Sequence, residues 1–97
     1  MSSTPEAATL THRAVRSDDA LFQDVGGEAV LLDLASERYF GLDPVGTRIW
    51  TLLGDDDRLQ SVHETLCAEY EADPDRIAAD LLVLVDQLAE AGLVTLD

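Results

Sequence analysis

The sequence predicts an α+β fold: an N-terminal three-stranded antiparallel sheet, then three helices and a short C-terminal strand. Three observations carry this expectation. Gly26-Gly27 stands between two apolar runs, Leu21 to Val25 and Ala29 to Leu34, and glycine supplies the positive φ that tight hairpin turns need. At Asp43-Pro44 the spacing of apolar residues changes from strand-like to helical. The same aspartate and proline pair recurs at Asp73-Pro74, ahead of a second long helical pattern. A strand meander, three helices and a closing strand in that order suggest a winged helix-turn-helix.

From Met1 to about Thr11 the chain is rich in Ser, Thr, Ala and Pro without periodicity. Residues 1–12 are therefore expected to form a flexible tail, and 13–97 a single domain. Strand signals begin near Arg13 to Val15 and strengthen at Leu21 to Val25. After Ala29 to Leu34, a turn near Ala35-Ser36-Glu37 leads to a third strand with the β-forming Tyr39 and Phe40. If that strand ends its sheet, its outer edge carries unpaired N–H and C=O groups able to accept another chain. Arg38, Tyr39, Phe40, Gly41 and Leu42 are thus the candidate binding edge.

The first helix starts where the Asp43 carboxylate can accept an orphan backbone N–H and Pro44 brings a helical φ. Val45, Ile49, Leu52 and Leu53 share its inner face, with Trp50 at the margin, and Gly54 is expected to end it. Asp55-Asp56-Asp57 lacks further regularly spaced oxygen ligands, so it reads as a solvated connector and not a calcium loop. The second helix runs from about Leu59 to Tyr70 with Leu59, Val62, Leu66 and Tyr70 inward. Two capping boxes, Asp57 with Gln60 and Ser61 with Glu64, leave its start open.

The third helix is announced by Asp73-Pro74 and closed by Gly92, before the strand Val94-Thr95-Leu96. At about 100° per residue, Ile77, Leu81, Leu84 and Leu88 fall in one arc. Ala78, Leu82, Val85 and Ala89 form a second apolar stripe beside it. Two readings of that surplus stand: a widely buried central helix, or a groove for a partner peptide.

With 20 acidic against 6 basic residues in 97, the net charge is -14. Such a chain repels polyanions, which argues against nucleic acid and anionic membrane surfaces as partners. In particular, a DNA-reading third helix does not carry Asp75, Asp80, Asp86 and Glu90 against Arg76 alone. No stretch approaches the ~20 apolar residues of a membrane span, and the first residues lack the apolar segment of a signal peptide. A lone cysteine, Cys67, permits no internal disulfide and fits a cytoplasmic protein.

Chemistry finds little purchase. His12 falls in the expected tail and His63 on a polar helix face, while Cys67 sits among Glu64, Glu69 and Glu71, the opposite of the electropositive setting a reactive thiol needs. There is no phosphate-binding loop and no paired metal-ligand motif, so neither a catalytic residue nor a metal or cofactor is expected. An acyl carrier would need an Asp-Ser-Leu attachment site at a helix start, and neither Ser36-Glu37 nor Ser61-Val62 supplies one.

Several residues together resemble a known family. Val30-Leu31-Leu32-Asp33, Arg38-Tyr39-Phe40-Gly41-Leu42-Asp43, Gly46, Ile49-Trp50 and Leu52-Leu53 form the first part of the pattern. Leu66, Glu69-Tyr70, Asp73, Asp80-Leu81-Leu82 and Gly92-Leu93 form the second. This pattern, over residues 13 to 96, is similar to the PqqD family, with Asp43 where many members carry asparagine. The resemblance implies a non-catalytic element that binds the leader segment of a ribosomally made precursor peptide and presents it to a maturation protease or other modifying enzyme. It also implies where: in the family the leader adds as a strand to the third β-strand and packs on the third helix. Here the leader would pair with Arg38 to Leu42, lay apolar side chains on Ala78, Leu82, Val85 and Ala89, and set cationic groups near Asp75, Asp86 or Glu90. The discrete length and acidic third helix favour the lasso-peptide type of relative. The alternatives are a chaperone for the pyrroloquinoline quinone precursor, or a winged-helix interaction subunit that binds no leader.

Overall fold

The computed structural model describes residues 8–26 and 28–97. Five strands and three helices follow in the order β1 (Ala14–Arg16), β2 (Ala20–Val25), β3 (Glu28–Asp33), β4 (Arg38–Leu42), α1 (Pro44–Asp55), α2 (Leu59–Glu69), α3 (Pro74–Glu90) and β5 (Val94–Leu96). Two sheets result. β2, β3 and β4 form the expected antiparallel meander, and β1 pairs antiparallel with β5.

Local chemistry fixes the meander. Val25 pairs with Glu28 across the first hairpin, whose Gly26 has φ +62; Gly27 lies outside the described residues. In the second hairpin Glu37 takes a left-handed φ of 59 and donates its N–H to the Asp33 carbonyl at 2.7 Å. The buried Asp33 carboxylate closes the same turn, accepting from the Ser36 hydroxyl at 2.7 Å and the Ala35 N–H at 3.3 Å. A buried carboxylate is tolerated because both its oxygens are partnered.

The aspartate-proline pairs cap as expected. Asp43 Oδ1 accepts the Gly46 N–H at 2.6 Å, and Asp73 Oδ1 accepts the Asp75 N–H at 3.0 Å. Gly92, at φ +78, follows the end of α3 in the left-handed conformation expected of a helix terminator. Three local expectations are corrected. Gly54 lies inside α1; a β-carbon there would come within 2.5 Å of the Arg16 guanidinium, so this glycine makes room for a crossing arginine. Neither capping box starts α2: its N-cap is Arg58, with no side-chain cap bond, while Asp56 accepts from the Arg58 N–H at 3.1 Å. Tyr70 and Val45, expected inward, are 37% and 41% exposed.

The core gathers Leu31 from the sheet, Ile49 and Leu53 from α1, Leu59, Val62 and Leu66 from α2, and Leu81, Val85 and Leu88 from α3 under Leu93 and Val94. Of the expected tail, residues 1–7 lie outside the described residues, whereas 8–12 belong to the fold. Ala8 is buried and donates its N–H to Asp86 Oδ1 at 2.8 Å, and the His12 carbonyl accepts from Leu59 at 3.1 Å. A composition without periodicity gave no hint that a few backbone hydrogen bonds would hold this segment.

Candidate functional site

β4 is an edge strand, with β3 as its partner and no further strand beyond it among the described residues. Its pleat divides the candidate edge residues. Phe40 and Leu42 turn toward the helices, half-buried and buried, in register with Leu31 and Ala29. Arg38, Tyr39 and Gly41 are exposed.

The end of β4 meets α1 and α3 closely. A β-carbon on Gly46 would lie 3.1 Å from Asp43 Oδ1, 3.2 Å from Leu42 Cδ2 and 3.5 Å from Leu84 Cδ2, so glycine allows the helix start to nestle between strand and α3. Beside that junction an open groove of about 320 Å³ runs along α3, lined by Asp43, Val45, Gly46, Ile49, Asp80, Val83, Leu84 and Gln87. A second, mainly apolar recess of about 140 Å³ continues from it between α1, the end of α2 and α3; Val45, Ile49 and Asp80 belong to both, and Tyr70, Leu66 and Ile77 line its far side.

The geometry of α3 sorts its residues by angle. Ile77, Leu81, Val85 and Leu88 form the buried centre. Asp80, Val83, Leu84 and Gln87 lie on the flank facing the groove. Leu82, Asp86 and Ala89 lie on the opposite flank, where Asp86 receives the Ala8 N–H and Leu82 and Ala89 pack against the core. The stripe read from the sequence is therefore split. Val85 is core at 0% exposure, while Ala78, Leu82 and Ala89 are half-buried outside the groove lining. Leu84, assigned to the core arc, is half-buried in the groove wall. Asp75 is exposed in the first turn of α3, away from the lining of both recesses.

Val83, Leu84, Asp80 and Gln87 line the groove but were not among the candidate residues read from the sequence. One signal was available: Val83, at 57% exposure, is an apolar side chain on the otherwise polar side of α3, and neither apolar stripe uses it. Trp50, placed at the margin of α1, is buried and points away from the groove, with the Arg16 guanidinium 5.2 Å above its ring.

Electrostatics near the helices is dominated by exposed pairs. Hydrogen bonds from Arg48 to Glu69 join α1 to α2, holding the Glu69 carboxyl below its ordinary pKa and the guanidinium above its own. Arg58 likewise holds the Asp56 carboxyl far below the usual carboxylate range, and Arg13 pairs with Asp57 at 3.2 Å. Two of the three adjacent aspartates, Asp56 and Asp57, thus serve as arginine partners.

Cys67 Sγ lies 3.4 Å from His63 Nε2, a proximity the sequence did not reveal. The same nitrogen is 2.9 Å from the Pro74 carbonyl, which can only accept. Nε2 must therefore carry the proton and donate, leaving no lone pair there to receive one from the thiol. Among the described residues no helix is long and apolar enough to cross a membrane.

Comparison with known proteins gives this site its context. No curated protein matches in sequence. Two solved structures match in fold. "TbiB1 in Complex with the TbiA(beta) Leader Peptide" is 38% identical, with a TM-score of 0.76 over 82% of this chain and 93% of that one. "Lasso peptide synthetase B1 complexed with the leader peptide" is 26% identical, with a TM-score of 0.74 over 88% of this chain and 98% of that one. Residues 28–94, from the start of β3 into β5, match the model of coenzyme PQQ synthesis protein D, and the chain belongs to this PqqD family.

Proposed function

We propose that the chain is a non-catalytic recognition element that binds the leader segment of a ribosomally made precursor peptide, of the lasso type, and presents it to a maturation protease or another modifying enzyme. The observation that carries the reading is the open edge of β4 leading into an apolar groove on α3. An extended peptide satisfies the edge's N–H and C=O groups by adding as a strand, and its alternate side chains then point into the groove. The leader complexes of the two similar proteins support leader binding here.

In this reading Arg38 to Leu42 supply the backbone edge. Val45, Ile49, Val83 and Leu84 receive apolar side chains, and Asp43 and Asp80 receive cationic or donor groups at the groove margin. The recess walled by Tyr70 and Ile77 takes a further apolar side chain. Ala78, Leu82, Ala89 and Asp86 support the fold on the other flank of α3, and Val85 supports it from the core. Ordering a flexible leader costs several kcal/mol, so affinity is expected between about nanomolar and micromolar.

Calorimetric titration with the synthetic leader of the precursor encoded beside this chain tests the reading. One-to-one saturation is expected. Absence of heat and of saturation at high micromolar peptide overturns it.

A further inference from the structure

The three-stranded sheet has a second face that the peptide site does not use. Register places Phe22, Leu31 and Phe40 in a row on the helix side, so Leu21, Leu32 and Tyr39 form the neighbouring row on the outside. Gln23, Val30 and Gly41 make the next outer row, and Val25 sits across from Glu28. Leu21, Val25 and Tyr39 are 42%, 63% and 72% exposed. An apolar surface continuous across three strands is the kind of patch that soluble proteins cover with a partner. Its margins are acidic: Asp18 and Asp19 in the turn before β2, Glu28 at the start of β3 and Glu37 in the β3–β4 turn, against Arg38.

We propose that this outer face is a docking surface for a folded protein whose own apolar patch is ringed by lysine and arginine, namely the enzyme that acts on the peptide held at β4. Only the identity of that enzyme rests on the peptide-binding reading. Charge selects the partner, since the acidic margin attracts a basic rim and repels an anionic lipid surface. Size argues against a second copy of the chain. Strands about 4.8 Å apart and five to six residues long at about 3.3 Å each give a face of roughly 15 by 18 Å, well under the ~800 Å² per partner of a stable interface. Two copies at -14 each also repel. A small, charge-guided contact suits transient docking, which holding the substrate on the same small domain strengthens by raising its local concentration. β4 belongs to both surfaces: its edge meets the peptide while Tyr39 and Gly41 face the docked protein, so enzyme and substrate lie side by side.

The test uses the full chain and, as probe, the purified maturation protease encoded with the precursor. Two variants avoid β4: the double substitution Leu21→Ser with Val25→Ser, and the charge reversal Glu28→Lys. Protease association is followed by biolayer interferometry, leader affinity by calorimetry and self-association by sedimentation. Each variant is expected to weaken protease association by about tenfold or more while leader affinity stays within about twofold. Variants that bind the protease as tightly as the parent chain overturn the proposal, as does a parent chain that does not bind it. Parallel loss of leader affinity would assign the face to the peptide site, and a parent dimer made monomeric by the variants would make it a self-interface; either result overturns the proposal. If the parent chain binds protease through this face but takes no leader, the peptide-binding reading alone has failed.

Discussion

Which flank of α3 carries the peptide can be decided with adjacent residues. Val83 stands on the groove side, 57% exposed, and Leu82 on the side that meets the Ala8 segment. Val83→Ala removes two methyl groups worth about 0.8 kcal/mol each when fully buried; scaled by the exposure a bound peptide would remove, the loss is about 0.9 kcal/mol, roughly four- to fivefold in Kd. Val83→Asp is expected to cost more than tenfold, because its carboxylate would be desolvated against an apolar side chain. Neither change should lower the melting temperature much, since the native side chain is mostly in water. Leu82→Ala should do the reverse, lowering melting modestly and leaving affinity within about twofold. Leader calorimetry and thermal unfolding on the same samples read both quantities. If Leu82→Ala weakened binding and Val83→Ala did not, the groove assignment would be refuted and the peptide would run on the Ala8 flank.

Leu81→Ala empties a fully buried site and should cost about 2 to 5 kcal/mol in denaturant unfolding, a large part of a small domain's stability. Asp43→Ala removes the α1 cap and should cost about 0.5 to 2 kcal/mol, whereas Asp43→Asn, still able to accept from Gly46, should unfold close to the parent. The Glu69 carboxyl is held below its ordinary pKa by Arg48, so its stabilisation is present above about pH 5 and is lost as pH falls through the lowered folded value. Melting curves of Arg48→Met and the parent should accordingly differ at neutral pH and converge under strongly acid conditions.

Much of the fold was legible because the signals were local and redundant. Gly26, Asp43-Pro44, Asp73-Pro74 and Gly92 each tie a residue type to a backbone conformation, and the meander and three helices follow. Errors arose where the deciding contact is distant in sequence. Nothing around Gly54 announces that Arg16 crosses there, and nothing before Arg13 announces the bond from Ala8 to Asp86. The β4 edge was legible for the same reason as the strands, but the groove was not. Periodicity measures the angle between apolar stripes and not which neighbour each one meets. Val85 extends the buried arc to one side, into the stripe read as a groove, while Leu84, read as core, lines the groove on the other side.

The Asp33 clasp sets a length standard. By holding Ser36 and Ala35 it fixes the β3–β4 turn, and with it the pairing of Asp33 with Arg38 through to Ala29 with Leu42. A strand added to β4 is measured against that fixed scale. Sliding it by one residue moves it by about 3.3 Å and turns every side chain to the opposite face, so intermediate positions are not available. If the proposed peptide adds to β4, the chain would act as a ruler, setting the distance from the docked segment to a downstream cleavage point in whole residues counted from β4.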